Sequence, residues 1–236
     1  AAGQDALVAP PTDPVAIASA SPAPAATDAG ETAFLAGVDG CRSGWIAVLV
    51  APEGALSPRI VHAATFAELM ALDPPPRVVA VDMPIGLPER VDGPGRAAEK
   101  AVRPLLGERQ SSVFSVPSRS AVMAGDYASA CACALATSDP PRKVSRQSFM
   151  LFPKIREIDA YLAGRPDAPV YEVHPEVGFW RLNGERAMPL PKKVKGKADP
   201  PGIAERIRLL CRAGYDPAFF ESRRPAGCGL DDLVDA

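Results

Sequence analysis

Apolar residues gather in short runs over residues 34–38, 45–51 and 59–64, separated by turns rich in Gly and Pro, and this pattern predicts an antiparallel meander of three strands. Phe34-Leu35-Ala36 and Ile46-Ala47-Val48-Leu49-Val50 flank the turn-forming stretch Gly37-Val38-Asp39-Gly40-Cys41-Arg42-Ser43-Gly44-Trp45, as in a hairpin. Thr65 then stands as a helix cap with Glu68 three residues on, and Phe66, Leu69, Met70 and Leu72 supply a short apolar face that Pro74-Pro75-Pro76 ends. The next β-branched run, residues 77–81, follows this helical crossover and is expected to lie parallel to the first strand, with Asp82 beside Asp39.

Between Pro84 and Pro169 the period changes to that of helices, with candidates over residues 95–106, 121–137 and 147–163. Pro153 is expected to kink or delimit the last of these. Val170-Tyr171-Glu172-Val173-His174 reads as a further strand, with Glu172 and His174 on one face, and Pro175 opens a short helix over residues 176–182. A basic loop over residues 190–197 precedes an amphipathic segment, Ile203 to Cys211. The last residues, Gly229 to Ala236, begin like a helix with Asp232 and Asp235 on one face. The sequence stops one residue after Asp235, short of the roughly ten more residues that a docked helix would use; either a tail follows, or the chain is truncated and this corner is expected to fray.

The predicted class is therefore α/β, a mixed five-stranded sheet flanked by helices, with a helical insertion at about residues 84–169 between the fourth and fifth strands. With 236 residues, 47% hydrophobic and 23% charged, the chain is long enough for one domain with a substantial core, expected over residues 33–236. Residues 1–32 hold eleven Ala and five Pro with no Lys or Arg, and are expected to form a disordered leader without the basic and apolar regions of a secretory signal. No run of eighteen apolar residues exists, so a soluble, cytoplasmic protein with no membrane partner is expected. The five cysteines, Cys41, Cys131, Cys133, Cys211 and Cys228, lack the paired spacing of zinc sites and read as reduced packing residues.

The net charge of −2 conceals an asymmetry: residues 142–208 hold fourteen bases against eight acids. A basic face beside acidic strand ends suits a phosphodiester, with bases holding phosphates and carboxylates holding cations. Asp39 and Asp82 each end an apolar run, where a carboxylate is costly unless something binds it. With a third acid on the last helix they make a donor set for one or two Mg²⁺ or Mn²⁺ ions, which select oxygen ligands. Two such ions can activate water and stabilise a leaving oxygen without a protein nucleophile. Only two histidines are present, His62 in a strand away from these acids and His174, and neither supplies a Ser or Cys triad.

The order of meander, Asp-ending strand, helix, second Asp-ending strand and late acidic helix resembles the RNase H-like fold. More specifically, Gly37-Val38-Asp39-Gly40 with Gly44-Trp45, Val81-Asp82-Met83-Pro84-Ile85-Gly86, Tyr171-Glu172-Val173-His174-Pro175-Glu176 and Asp232-Leu233-Val234-Asp235-Ala236 resemble the domain of unknown function 429 family, predicted RNase H-like nucleases. The resemblance spans residue 34 to the end. It implies a metal-dependent nuclease in which Asp39 bridges the ions, Asp82 and Asp235 are ligands, Asp232 is a polar helper or further ligand, and Glu172 is a ligand or an outer acid. Nucleic acid is the implied partner, and Arg42, Arg109, Ser111, Ser112, Arg119, Lys192, Lys193 and Lys195 are candidate phosphate contacts.

Two other readings stay open. A catalytically silent module on the same fold would hold nucleic acid or protein through its basic loops. A phosphotransferase of the actin-like and sugar-kinase type would also place a phosphate loop after an Asp-ending strand, but a second Gly-rich phosphate hairpin and an adenosine motif are missing after residue 150, so no nucleotide cofactor is expected.

Overall fold

The computed structural model describes residues 34–53 and 56–236, and the expected leader lies outside the described residues. Strands β1 (Leu35–Cys41) and β2 (Gly44–Val50) form the hairpin, and β3 (Arg59–Ala63) pairs antiparallel with β2. Helix α1 (Phe66–Met70) is capped as expected: the Thr65 side chain accepts from Glu68 N at 3.2 Å. This short helix returns the chain to β4 (Val78–Val81), which lies parallel to β1.

The insertion carries β5 (Val91–Asp92), α2 (Ala97–Val102), a 3₁₀ segment (Arg103–Ser112), α3 (Arg119–Val122), α4 (Tyr127–Thr137), β6 (Ser138–Asp139) and α5 (Arg146–Leu162). It is helical, with three departures from the expected bounds. The first helix gives way to 3₁₀ turns at Arg103, where Pro104 and the positive φ of Gly107 (51°) interrupt α-helical bonding. The second breaks in two because the Asp126 side chain caps a new start, accepting from Ser129 N at 2.9 Å. The third runs through Pro153, so this proline does not delimit it.

After the insertion come β7 (Val170–Glu172), parallel to β4, and α6 (Pro175–Leu182). The expected basic loop is a small hairpin, β8 (Lys193–Val194) and β9 (Lys197–Ala198), turned at Lys195 and Gly196, whose φ values are 52° and 76°. Helices α7 (Pro200–Arg212), α8 (Pro217–Glu221) and α9 (Leu230–Asp235) complete the chain. Among the described residues no helix is long and apolar enough to cross a membrane.

The main sheet has the order β3-β2-β1-β4-β7, five strands with one parallel half and one antiparallel half, consistent with an RNase H-like fold. The period of two along β1 sorts its side chains. Ala36 and Val38 join Trp45, Ala47, Val79 and Val81 in a core with Phe66 of α1 and Phe152, Ile155 and Ile158 of α5. On the other face Cys41, Ile46 and Val48 pack with Phe179 of α6, Ile203 and Leu209 of α7, Phe220 of α8, and Leu233 and Val234 of α9. Strand β2 is buried on both faces, which explains its unbroken apolar run.

Between α6 and α7 lies a buried ion pair. Arg206, with no exposed surface, donates to Glu176 from Nε at 3.0 Å and from Nη2 at 2.6 and 2.7 Å, and its Nη1 reaches the carbonyls of Leu190 and Gly202. Glu176 thus serves as the partner of a buried arginine besides standing in the first turn of α6.

Candidate metal centre

Strand register brings the two strand aspartates together. Val38 of β1 pairs with Val81 of β4, the last pair of that ladder, and Asp82 N continues it with a 2.9 Å bond to Val38 O. Asp39 and Asp82 are the next residues on each strand, and both face α6–α9. The sequence pattern puts Asp39 at the end of its strand, whereas it is the fifth of seven residues in β1 and pairs with Ile46 of β2. It is terminal only with respect to β4, because the β1–β2 hairpin outlasts the parallel ladder by three residues.

Helix α9 delivers the third carboxylate. Its buried Leu233 and Val234, 2% and 4% exposed, fasten six residues to the sheet, so the corner expected to fray is packed. Gly37 permits the close approach: a Cβ there would lie 1.7 Å from the carbonyl oxygen of Ala236. One carboxylate oxygen each from Asp39, Asp82 and Asp235 lies within 4.8 Å of the others. The Asp39 Oδ1 accepts from Gly40 N at 2.7 Å, and Asp235 Oδ1 is buried with no hydrogen-bond partner. An orphaned buried carboxylate oxygen in such a cluster is a vacant donor for an oxygen-seeking cation, so these residues fit a Mg²⁺ or Mn²⁺ ion.

The charges strain one another. Burial, then the Asp82 charge, holds the Asp39 carboxyl well above the ordinary range, with Asp232 adding to the effect and Lys192 opposing it. Burial also raises Asp82, with Glu172 contributing, while His174 and Lys192 pull the other way. Asp232 is raised by burial and by Asp231. Lys192 is the balancing cation: its ammonium pairs with Asp235 inside the cluster, and burial lowers its pKa against the pull of Asp39 and Asp82.

A cavity of about 490 Å³ opens over these acids. Asp39, Asp82, Asp232 and Asp235 line one side, and Arg109, Ser111, Ser112, Lys192 and Lys193 lie around it. Of the candidate phosphate contacts, Arg42, Arg119 and Lys195 do not line it. Arg119 is engaged by Asp159 through two bonds of 2.7 and 2.8 Å, and Lys195 sits in the β8–β9 turn. Lys193 pairs with Asp231 at 2.7 Å, and Arg109 Nε is buried without a partner. Glu172 is on the cavity wall, but Oε1 takes the Arg96 guanidinium at 2.5 Å and Oε2 accepts from Ile85 N at 2.8 Å. It lies outside the group of three and fixes the turn after Asp82 instead.

One residue of the cavity wall and one beside the Asp39–Gly40 turn escape a sequence reading. His174 is the cap of α6 and not a strand residue; its Nδ1 accepts from Glu176 N at 3.2 Å, and it lines the cavity close enough to influence Asp82. The His-Pro-Glu order, a cap before a helix-opening proline, was the available signal. Lys154 of α5 stacks over Trp45, 4.4 Å from the ring centroid, with its aliphatic stem against Gly40. No periodicity pairs it with that turn.

A search of curated proteins and a search of solved structures each returned no match. The sequence model of one family, described as protein of unknown function (DUF429), matches residues 37–236, which includes every carboxylate of the cluster. The chain belongs to the DUF429 family.

Proposed function

We propose that this protein is a divalent-metal-dependent hydrolase that cuts phosphodiester bonds of nucleic acid. The observation that carries this reading is the convergence of Asp39, Asp82 and Asp235 within 4.8 Å, on three different elements, at the floor of a cavity whose rim bears cations and hydroxyls. Asp39, Asp82 and Asp235 would hold the ion, and Asp232, one helical turn before Asp235, stands ready to adjust its charge. Mg²⁺ or Mn²⁺ bound there supplies an activated water and a counter-charge for the leaving oxygen.

The remaining work falls to the chain's own side chains. Arg109, Ser111, Ser112 and Lys193 position a phosphate over the acids, and Lys192 neutralises Asp235 until a divalent cation takes that role. The His174 Nδ1 meets the backbone N–H of Glu176 and Nε2 faces the Ser112 carbonyl at 3.4 Å, so the ring orders the wall of the cavity.

The test is incubation with mixed single- and double-stranded oligonucleotides plus Mn²⁺, with Asp39→Asn and Asp82→Asn proteins as controls. Cleavage is expected with the parent protein and a fall of about 100-fold or more with either variant. Nucleic-acid binding without cleavage in any metal would establish the silent module instead.

A further inference from the structure

A second cluster of metal-type ligands lies beyond the end of the acidic site. Cys41 at the end of β1, His62 on β3 and Cys228 just before α9 bring two thiol sulfurs and a ring nitrogen within 4.8 Å of one another. Both cysteines are free. They stand at opposite ends of the domain sequence, which is why linear spacing reads them as packing residues.

The surroundings hold this cluster in place. Ser43 Oγ donates to Ala226 O at 2.7 Å, meets His62 Nε2 at 2.9 Å and stands 3.6 Å from Cys41 Sγ. Arg42 N donates to Gly227 O at 3.2 Å, binding the β1–β2 turn to the 226–228 segment. Gly227 has φ 86°, and a Cβ there would fall 2.7 Å from Ser43 Oγ, so only glycine lets the backbone come this close. Because the hydroxyl proton of Ser43 goes to Ala226, His62 Nε2 donates in the Ser43 contact when it carries the ring proton; with that proton on Nδ1 instead, the Nε2 lone pair is free to bind a cation.

We propose that Cys41, His62 and Cys228 form a binding site for Zn²⁺ or a cation of the same thiophilic class, separate from the acidic centre. Sulfur and imidazole ligands select such ions, whereas carboxylates select Mg²⁺ and Mn²⁺, so the two sites divide cations by chemistry. The Ser43 hydroxyl brings an oxygen to the same cluster. Bound there, the ion ties the hairpin turn and β3 to the residue that leads into α9, the helix that carries Asp232 and Asp235. Its role is to hold that helix on the sheet.

The site is tested by loading the full chain, reduced and metal-free, with Zn²⁺ or Co²⁺. One equivalent is expected to bind, Co²⁺ producing sulfur-to-metal charge-transfer absorption, and Zn²⁺ is expected to raise the urea midpoint. Cys228→Ser and His62→Ala should each weaken binding by more than the roughly 10–100-fold that loss of an outer partner costs. An Asp39→Asn, Asp82→Asn double variant should bind Zn²⁺ as the parent does, whatever becomes of nuclease activity. Circular dichroism of Cys228→Ser verifies folding, and protection of Cys41 and Cys228 from alkylation by Zn²⁺ in the parent gives a readout without any substitution. Absence of stoichiometric uptake, a Co²⁺ spectrum unchanged in Cys228→Ser, or a Cys41–Cys228 disulfide in place of metal uptake would overturn the proposal.

Discussion

Replacing Asp39 by asparagine removes one charge from the acidic centre with little change of shape. The amide retains an Oδ1 to accept from Gly40 N, as the carboxylate does at 2.7 Å. Carboxylate oxygens of Asp39, Asp82 and Asp235 lie within 4.8 Å, and at an effective dielectric constant of about 20 two ionised groups at that separation repel by ~3.5 kcal/mol. Lys192 offsets part of this. In EDTA at neutral pH the variant is therefore expected to be more stable than the parent by about 1–3 kcal/mol. Burial and the Asp82 charge raise the Asp39 carboxyl above its ordinary value of 3.8, so the folded protein holds that proton more tightly than the unfolded chain does. The associated stability is fully present below the unfolded value and is lost as pH rises through the folded one. The gap between variant and parent should accordingly close at pH values under about 4 and widen toward neutrality.

Mn²⁺ should reverse the order. At a hundred times its dissociation constant the ion adds ~2.7 kcal/mol to a protein that binds it only when folded, and the variant should gain little. Urea denaturation between pH 4 and 8, in EDTA and in Mn²⁺, measures all of this. An Asp39→Asn protein less stable than the parent in EDTA at pH 7, or stabilised by Mn²⁺ to the same extent, would refute the reasoning.

Arg206→Met should cost about 3–5 kcal/mol in the same urea assay, because it strands the Glu176 carboxylate in the interior; a loss under about 1 kcal/mol would show that the pair is dispensable. Lys192→Met removes the cation that competes for Asp235, so Mn²⁺ affinity measured by calorimetry should rise about tenfold. An unchanged or weaker affinity would mean that Lys192 does not occupy the acidic cluster in solution.

Much of the fold was legible because its strands are short apolar runs punctuated by Gly and Pro, and because Thr65 and Pro175 mark helix starts by local chemistry. The helical insertion was visible as a change of period, but its 3₁₀ stretch was not, since Gly107 and Pro104 act on backbone bonding that hydropathy does not register. Asp39 and Asp82 stood out as acids where apolar runs stop. His174 did not, because a cap acquires meaning only from what stands opposite it; Lys192 was legible as a phosphate contact but not as the partner of Asp235, which the fold alone supplies. The same holds for Glu172, for which the resemblance left a ligand or an outer acid open: only the fold shows Arg96 and Ile85 engaging both of its oxygens.

By itself the sequence determined the α/β class, the succession of strands and helices along the chain and the acids that end apolar runs, because periodicity, caps and the cost of burying charge are local properties. Tertiary structure decided the rest. The parallel crossover already implied Asp39 beside Asp82, and the Val38–Val81 register fixed it; Gly37 and the buried Leu233 and Val234 drew Asp235 onto them, and the β8–β9 hairpin carried Lys192 into their midst. Likewise Cys41, His62 and Cys228 became neighbours only when Gly227 let the segment before α9 rest against Ser43. Distances of a few ångströms between residues far apart in sequence are properties of packing, and no local pattern encodes them.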